Sequence, residues 1–235
     1  MRLWFVSLFF LLGTLATAQD PIVVDPKIAK VEFENDRIRV LRVHYGAHQK
    51  LALHQHPAKV AICLTKFHMR RSSADGTTAD ATCDFGTVTW REPERHAVEN
   101  LDGTDAETLE IELKYATAAA ATSSVGGIPA DPLQIEIEPH HHVLFKNQYV
   151  EVMDVNLEPG DPTSYHSHVF DTVYIRLSDS STQSQTRGED WGPTRLSKPG
   201  EMILDGNSKK ALTHRVKNVG TTPYRVVCVE LFPQT

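Results

Sequence analysis

The sequence has no surplus of basic residues, few cysteines and only one long apolar run. Lysine and arginine total 24 against 30 aspartates and glutamates, a formal net charge of −6, so nucleic acid is not expected as a partner. Three cysteines in 235 residues exclude a disulfide scaffold. Gly-rich phosphate loops, Gly-x-Ser-x-Gly elbows and Cys-x-x-Cys pairs are also missing, which argues against the functions that depend on them.

The apolar run lies at the N-terminus and predicts a secretory signal peptide over residues 1–18. Arg2 is followed by apolar residues to about Leu15 and then by Ala16-Thr17-Ala18, a small-residue cleavage pattern. A membrane anchor is the alternative, but it needs about 20 apolar residues. We therefore expect export to the periplasm or the cell exterior, with no membrane association after cleavage.

Export would permit a disulfide, and the three cysteines leave the pairing open. Cys63 and Cys228 both lie in apolar, strand-like runs, where a cysteine is typically a small buried hydrophobic residue. A bridge between Cys63 and Cys83 is one pairing that the sequence allows.

An internal repeat divides the chain into two similar halves. Residues 33–64 align without a gap with residues 145–176 at an offset of 112, and a second block from His96 aligns with one from His214 at an offset of 118. Each half has short alternating apolar and polar segments punctuated by glycine and proline, which is typical of β-strands. We predict an all-β protein with two barrels or sandwiches, at 19–115 and 132–235, joined by a linker at 116–131.

Histidines occupy equivalent places in the two halves and indicate metal binding. Each half has His-x-His in a strand-like run, whose two side chains would share one face, and a later histidine followed by three residues and asparagine. Three imidazoles converging inside a barrel would hold a divalent metal and leave coordination positions open. The predicted metal ligands are His54, His56 and His96 in the first half and His166, His168 and His214 in the second.

These motifs resemble those of the cupin family in its two-domain, or bicupin, form. Gly160 with His166 and His168 matches the opening of the first family motif, and the His-x3-Asn segments at His96 and His214 match the end of the second. The resemblance covers nearly all of the chain after residue 18. It implies two tandem jelly-roll β-barrels and one or two divalent metal ions, with zinc, copper, iron, manganese and nickel all candidates.

The glutamate ligand of the family is absent from both halves. Asp171 is the residue nearest to its place in the second half, and the gapless alignment gives Lys59 as the counterpart in the first. A carboxylate favours a cation and an ammonium group repels one, so we expect tighter metal binding in the second half. We expect Asp171 to act there as a fourth ligand or a base, with Glu230 as another candidate acid or base.

Other polar residues are given less specific interpretations. The run His140-His141-His142 is expected to lie at the surface, where any metal binding would be adventitious. His44, His48 and His68 have no counterparts in the second half and are expected at the surface. Arg91 precedes His96 and is expected to hold a substrate carboxylate or to form a structural ion pair.

Two classes of function fit these features. The first is an exported metal-dependent enzyme, an oxygenase or an isomerase, that acts on a small oxygenated or anionic molecule. The second is a non-catalytic module that binds a metal or a small ligand. Imidazole sites favour copper and zinc when metals compete, so we expect one of these in the isolated protein. A homodimer is compatible with either function.

Overall fold

The computed structural model describes residues 19–116 and 134–233. The predicted signal peptide and all of the predicted linker after residue 116 lie outside these ranges. The elements of the first half are α1 (Pro21–Val24), β1 (Ala29–Glu34), β2 (Ile38–Tyr45), β3 (Lys50–His56), β4 (Lys59–Cys63), β5 (Phe67–Ser73), β6 (Thr78–Cys83), β7 (Val88–Arg91), β8 (Glu94–Asn100) and β9 (Ala106–Leu113). Those of the second half are a 3-10 turn (Ile135–Ile137), β10 (His141–Lys146), β11 (Val150–Leu157), β12 (His166–His168), β13 (Asp171–Arg176), β14 (Ser180–Thr186), β15 (Arg195–Ser197), β16 (Met202–Asp205), β17 (Leu212–Asn218) and β18 (Tyr224–Leu231).

Each half folds into a barrel of two antiparallel sheets with the same strand order. The first barrel has sheets β1-β2-β9-β4-β7 and β3-β8-β5-β6, and the second has β10-β11-β18-β13-β16 and β12-β17-β14-β15. A register shift falls at the same place in both, between Val31 and Phe33 in β1 and between Val143 and Phe145 in β10. The prediction of two tandem all-β barrels is confirmed.

The two five-stranded sheets pack against each other to form the core between the barrels. On β9, Leu109, Ile111 and Leu113 point into this core, while Glu110 and Glu112 on the alternate face point into the first barrel. This alternation follows from the period of two in a strand. An ion pair also connects the two barrels.

The glycine that precedes His-x-His in the second barrel has a conformational role. Gly160 has a φ of 93°, in the left-handed region that glycine adopts without steric cost. His48 is its counterpart in the first barrel by the offset of 112. His48 is also the one non-glycine residue of the described chain with a positive φ, at 56°, so its role there is conformational.

Cysteine pairing is settled by the structure. Cys63 on β4 and Cys83 on β6 form a disulfide, which joins the two sheets of the first barrel, and Cys228 is free and buried. Within the two described ranges, no helix is long and apolar enough to span a bilayer.

Candidate metal centre

The first histidine cluster lies inside the first barrel. His54 and His56 alternate with an exposed residue along β3 and share its inner face. His96 on β8 is the direct antiparallel partner of His54. The three rings are buried, with centroids 4.5 to 5.4 Å apart, and one ligand atom from each lies within 4.8 Å of the others. The structure therefore brings together the three histidines that the sequence singled out.

Hydrogen bonds at Nδ1 orient the two histidines of β3. His54 Nδ1 lies 2.8 Å from the carbonyl oxygen of Ala52, and His56 Nδ1 lies 2.6 Å from Glu112 Oε1. Glu112 is held in turn by Arg39, whose Nε donates to Oε2 at 2.6 Å. Oxygen acceptors of this kind keep the proton on Nδ1 and leave the Nε2 lone pair for a metal.

The third histidine of each cluster has a different setting in the two barrels. His96 Nδ1 lies 3.2 Å from Glu94 Oε1 and 2.7 Å from Arg71 Nη2, and because a guanidinium group can only donate, Nδ1 accepts from Arg71. His214 Nδ1 lies 3.1 Å from Ser184 Oγ. By strand register Ser184 occupies the place of Arg71, so a guanidinium beside the first cluster is replaced by a hydroxyl beside the second.

The second cluster repeats the arrangement of the first. His166 on β12 is paired directly with His214 on β17, and His168 shares the inner face with His166. Their ring centroids are 4.7 to 5.2 Å apart. His166 Nδ1 lies 2.9 Å from the Ser164 carbonyl oxygen and His168 Nδ1 lies 3.0 Å from Glu230 Oε1. Both barrels thus use a main-chain carbonyl and a buried glutamate to orient the His-x-His pair.

The carboxylates behind these pairs have different environments. Glu112 bonds to Arg39, but the register counterpart of Arg39 in the second barrel is Glu151. Burial, followed by the nearby Glu151, raises the pKa of Glu230 to about 8. Burial likewise raises the pKa of Glu151 to about 7, against the effect of Lys146.

The donor set fits a divalent metal ion in both barrels. Of the described residues, His54 Nε2 and His214 Nε2 are buried without a hydrogen-bond partner, a costly arrangement for a polar atom unless a ligand satisfies it. Burial lowers the pKa of His54 and of His166 to about 3, and that of His214 to about 4. These imidazoles are neutral at pH 7, which is the state that binds metals.

His141 joins the second cluster, contrary to the expectation that its run lies at the surface. Its ring centroid is 4.4 Å from that of His166, and the residue is buried. The histidines of this barrel whose ligand atoms lie within 4.8 Å of one another are His141, His166 and His168, and the expected ligand His214 is not in that group. His142 is exposed, as strand alternation requires, and that alternation is the sequence signal that would have placed one histidine of the run inside.

Asp171 lies away from the histidines, and its expected role as a ligand or base needs correction. Its Oδ2 accepts from Arg37 Nη1 of the first barrel at 2.7 Å, and its Oδ1 accepts from the Ser208 amide at 3.1 Å. It pairs in register with Leu231, which faces the core between the barrels. Asp171 therefore connects the two barrels.

The gapless alignment is one residue out of register at this strand. Lys59 pairs with Glu112 in the first barrel. Glu230 is the counterpart of Glu112 in the second barrel, and it pairs with Thr172. Lys59 therefore corresponds to Thr172, which faces the barrel interior, and the contrast between Asp171 and Lys59 on which the expected difference in affinity rested does not exist. A single extra residue between β12 and β13 accounts for the shift.

A cavity of about 160 Å³ lies next to the first cluster. His96, Ala61 and the Cys63–Cys83 disulfide contribute to its wall, together with the apolar side chains of Tyr45, Phe67, Met69 and Val98. Five charged residues also line it, namely Lys59, Arg71, Arg91, Glu94 and Glu110.

Four of these five charges form two ion pairs. Lys59 Nζ donates to Glu110 at 2.8 Å, and Arg71 pairs with Glu94. The side chain of Arg91 makes no hydrogen bond or ion pair within residues 19–116 and 134–233. Burial lowers the pKa of Arg91 and the nearby Arg71 lowers it further, while Glu94 and Glu110 act in the opposite direction. Arg91 is therefore the one cation of the cavity that forms no direct ion pair.

The equivalent interior of the second barrel is less charged. Strand register gives the counterpart of each charged residue. Lys59 corresponds to Thr172, Arg71 to Ser184, Arg91 to Asp205, Glu94 to Leu212 and Glu110 to Cys228. Ala61 is replaced by Tyr174, which is buried with its ring centroid 5.4 Å from that of His168. An aromatic side chain thus occupies in the second barrel a position where the first has a methyl group beside the cavity.

Comparisons with known proteins give matches in structure but not in sequence. No family model and no curated protein matches the chain. A cupin 2 conserved barrel domain protein from Leptotrichia buccalis superposes with a TM-score of 0.54 at 10% identity, over 87% of this chain and 88% of that one. Salicylate 1,2-dioxygenase from Pseudoaminobacter salicylatoxidans, in adducts with gentisate, has a TM-score of 0.54 at 11% identity over 83% and 68%. Oxalate decarboxylase from Bacillus subtilis, which has Mn(II) centres, has a TM-score of 0.53 at 11% identity over 83% and 69%.

Proposed function

We propose that this chain, which has the bicupin fold, is a metal-dependent enzyme that acts on a small carboxylate in its first barrel, as an oxygenase or an isomerase. The observation that carries the proposal is the cavity beside His96, in which Arg91 is the one cation that forms no direct ion pair. The proposal moves the expected reaction site from the second barrel to the first.

The size and lining of the cavity define the ligand class. A cavity of about 150 Å³ accommodates benzene, so about 160 Å³ suits a molecule with roughly six to ten heavy atoms. Guanidinium groups bind carboxylates through two parallel hydrogen bonds, and the lining of Phe67, Met69 and Val98 suits an apolar body. A monocarboxylate of about the size of benzoate can bind the guanidinium through its carboxylate and pack its apolar body against this lining.

The matched structures are consistent with this class. Salicylate and oxalate, in the names of two of them, are both small carboxylates. The identity of about 10% limits this likeness to the fold, so the residues of the cavity carry the substrate assignment.

The side chains of the first barrel have separate roles in the proposal. Arg91 binds the carboxylate, and His54, His56 and His96 hold the metal. A bound divalent metal with open positions supplies Lewis acidity toward a substrate oxygen. Burial raises the pKa of Glu110, but Lys59 more than offsets this and lowers it to about 2, so the ion pair stays charged and keeps Lys59 from competing for the substrate.

The test compares Arg91→Met with Arg70→Met in the metal-loaded protein. Arg70 lies on the outer face of β5, is exposed and pairs with Asp80, so it is a matched control outside the cavity. Calorimetric titration with benzoate and salicylate should show at least tenfold weaker binding for Arg91→Met and unchanged binding for Arg70→Met. Equal affinities in the two variants would refute the carboxylate site.

Turnover separates the enzyme from the non-catalytic alternative. The metal-loaded protein is incubated with a panel of hydroxylated benzoates, and oxygen consumption and product formation are followed. Turnover that Arg91→Met abolishes and Arg70→Met retains supports the enzyme. Binding without turnover across the panel, with oxygen present, favours the binding module.

We also propose that the protein acts outside the cytoplasm. The pattern of residues 1–18 supports this, and the disulfide between Cys63 and Cys83 is of a kind that persists in oxidising compartments. The test traps the thiols in intact cells and counts them after the protein is unfolded. One reactive thiol, that of Cys228, supports export, and three reactive thiols, which mean that the disulfide has not formed, refute it.

A further inference from the structure

The second barrel has one more histidine around its cluster than the first. His141 is the first residue of β10 and pairs with Val155, in the same register as Ala29 with Val43 in the first barrel. The position that holds an imidazole in the second barrel therefore holds a methyl group in the first. The difference follows from strand geometry and does not depend on sequence alignment.

His141 is held as a metal-binding histidine is usually held. Its Nδ1 lies 2.6 Å from Glu138 Oε2, and both side chains are buried. A carboxylate at Nδ1 fixes the ring, raises the basicity of Nε2 and leaves that atom for a metal. His56 with Glu112 shows the same arrangement.

Glu138 is fixed by further donors besides His141. It accepts from the His140 amide and the Ser164 amide, each at 2.9 Å, and from His140 Nδ1 at 3.0 Å. Burial raises the pKa of Glu138, but the hydrogen bonds from His141 and His140 outweigh burial and hold the pKa well below its usual range. The carboxylate connects the segment before β10 to the segment before β12.

We propose that His141 is the fourth ligand of a closed divalent metal site formed with His166, His168 and His214. Four protein ligands fill a tetrahedral coordination sphere, as in structural zinc sites, whereas catalytic sites keep an open position. His141, His166 and His168 each place a ligand atom within 4.8 Å of the others. The ring of His214, whose Nε2 has no partner, lies 4.7 Å from that of His166 and 5.1 Å from that of His168. The bound ion joins β10 to β12 and β17.

This assignment separates the roles of the two barrels. The first barrel has three histidines, an adjacent cavity and an unpaired cation, whereas the second has four histidines and Tyr174 beside them. The site in the second barrel serves stability, and it does so whether or not the first barrel binds a carboxylate.

The test uses zinc titration of His141→Ala and of His142→Ala in the full chain. His142 is adjacent and exposed, so it controls for loss of a histidine from the same run. Competition with a chelator of known affinity should show that His141→Ala weakens the second-barrel site at least tenfold. His142→Ala should leave both sites unchanged. Equal affinity of His141→Ala and the unmodified protein would overturn the proposal.

A measurement on a chain that keeps all four histidines of the second barrel guards against misfolding of the His141→Ala variant. His54→Ala weakens the first-barrel site, and Co²⁺ is then added in one equivalent so that it occupies the second. Intense visible absorption bands typical of four-coordinate tetrahedral Co²⁺ are expected, with no change on adding benzoate. Weak bands of a six-coordinate ion, or a shift with benzoate, would overturn the closed site, and neither result depends on enzyme activity.

Discussion

Glu112→Gln should weaken metal binding in the first barrel by about 10- to 100-fold. Glu112 Oε1 lies 2.6 Å from His56 Nδ1, and both side chains are almost fully buried. The substitution keeps the size of the side chain but removes the negative charge. Arg39 keeps its bond to Asp20 at 2.5 Å, so the local fold should persist.

The magnitude follows from two separate considerations. Loss of an outer carboxylate behind a metal-binding histidine typically costs about 10- to 100-fold in affinity, which is about 1.4 to 2.7 kcal/mol. A hydrogen bond to a charged group contributes about 1.5 to 3 kcal/mol. The two ranges overlap, because both describe the interaction that holds the imidazole ring in place.

The assay is a zinc competition titration in the His168→Asn background, where the first-barrel site is the one that titrates tightly. Glu99→Gln is the matched control, since Glu99 on β8 pairs with the exposed Lys50 on β3. These are the two strands that carry the first histidine cluster. Unchanged affinity in Glu112→Gln, or an equal loss in Glu99→Gln, would show that Glu112 does not support a metal ligand.

Three further predictions concern stability and the connection between the barrels. Asp171→Asn should cost about 1 kcal/mol in urea unfolding by weakening the partly exposed pair with Arg37, and metal loss from either site would contradict its placement. Metal-free protein should lose stability as the pH falls from about 6.5 toward 3, because His54, His166 and His214 have folded-state pKa values of about 3 to 4 and the unfolded chain binds more protons there; a melting temperature independent of pH between 7 and 4.5 would refute this. Reduction of Cys63–Cys83, which closes a loop of 20 residues, should cost about 3 kcal/mol, measured by unfolding with and without reductant, and no change would contradict it.

The sequence was sufficient to predict the repeat, the two barrels and six of the seven clustered histidines. The reason is local, because residues at i and i+2 of a strand share a face, so His54 with His56 and His166 with His168 converge without any knowledge of long-range contacts. The histidines at 96 and 214 were found because their sequence context repeats. Each of these inferences depended on spacing along one strand or on similarity between the two halves.

Tertiary structure alone decided which side chains surround each histidine cluster. A one-residue insertion reversed the facing of Asp171 and brought Thr172 opposite Glu230, because every side chain changes face when a strand shifts by one residue. Lys59, Arg71 and Arg91 come from three different strands, and only the closure of the barrel places them in one cavity. His141 likewise reaches its cluster through contact between its ring and that of His166 on β12, whereas alternation along β10 indicates only that one histidine of the run faces inward.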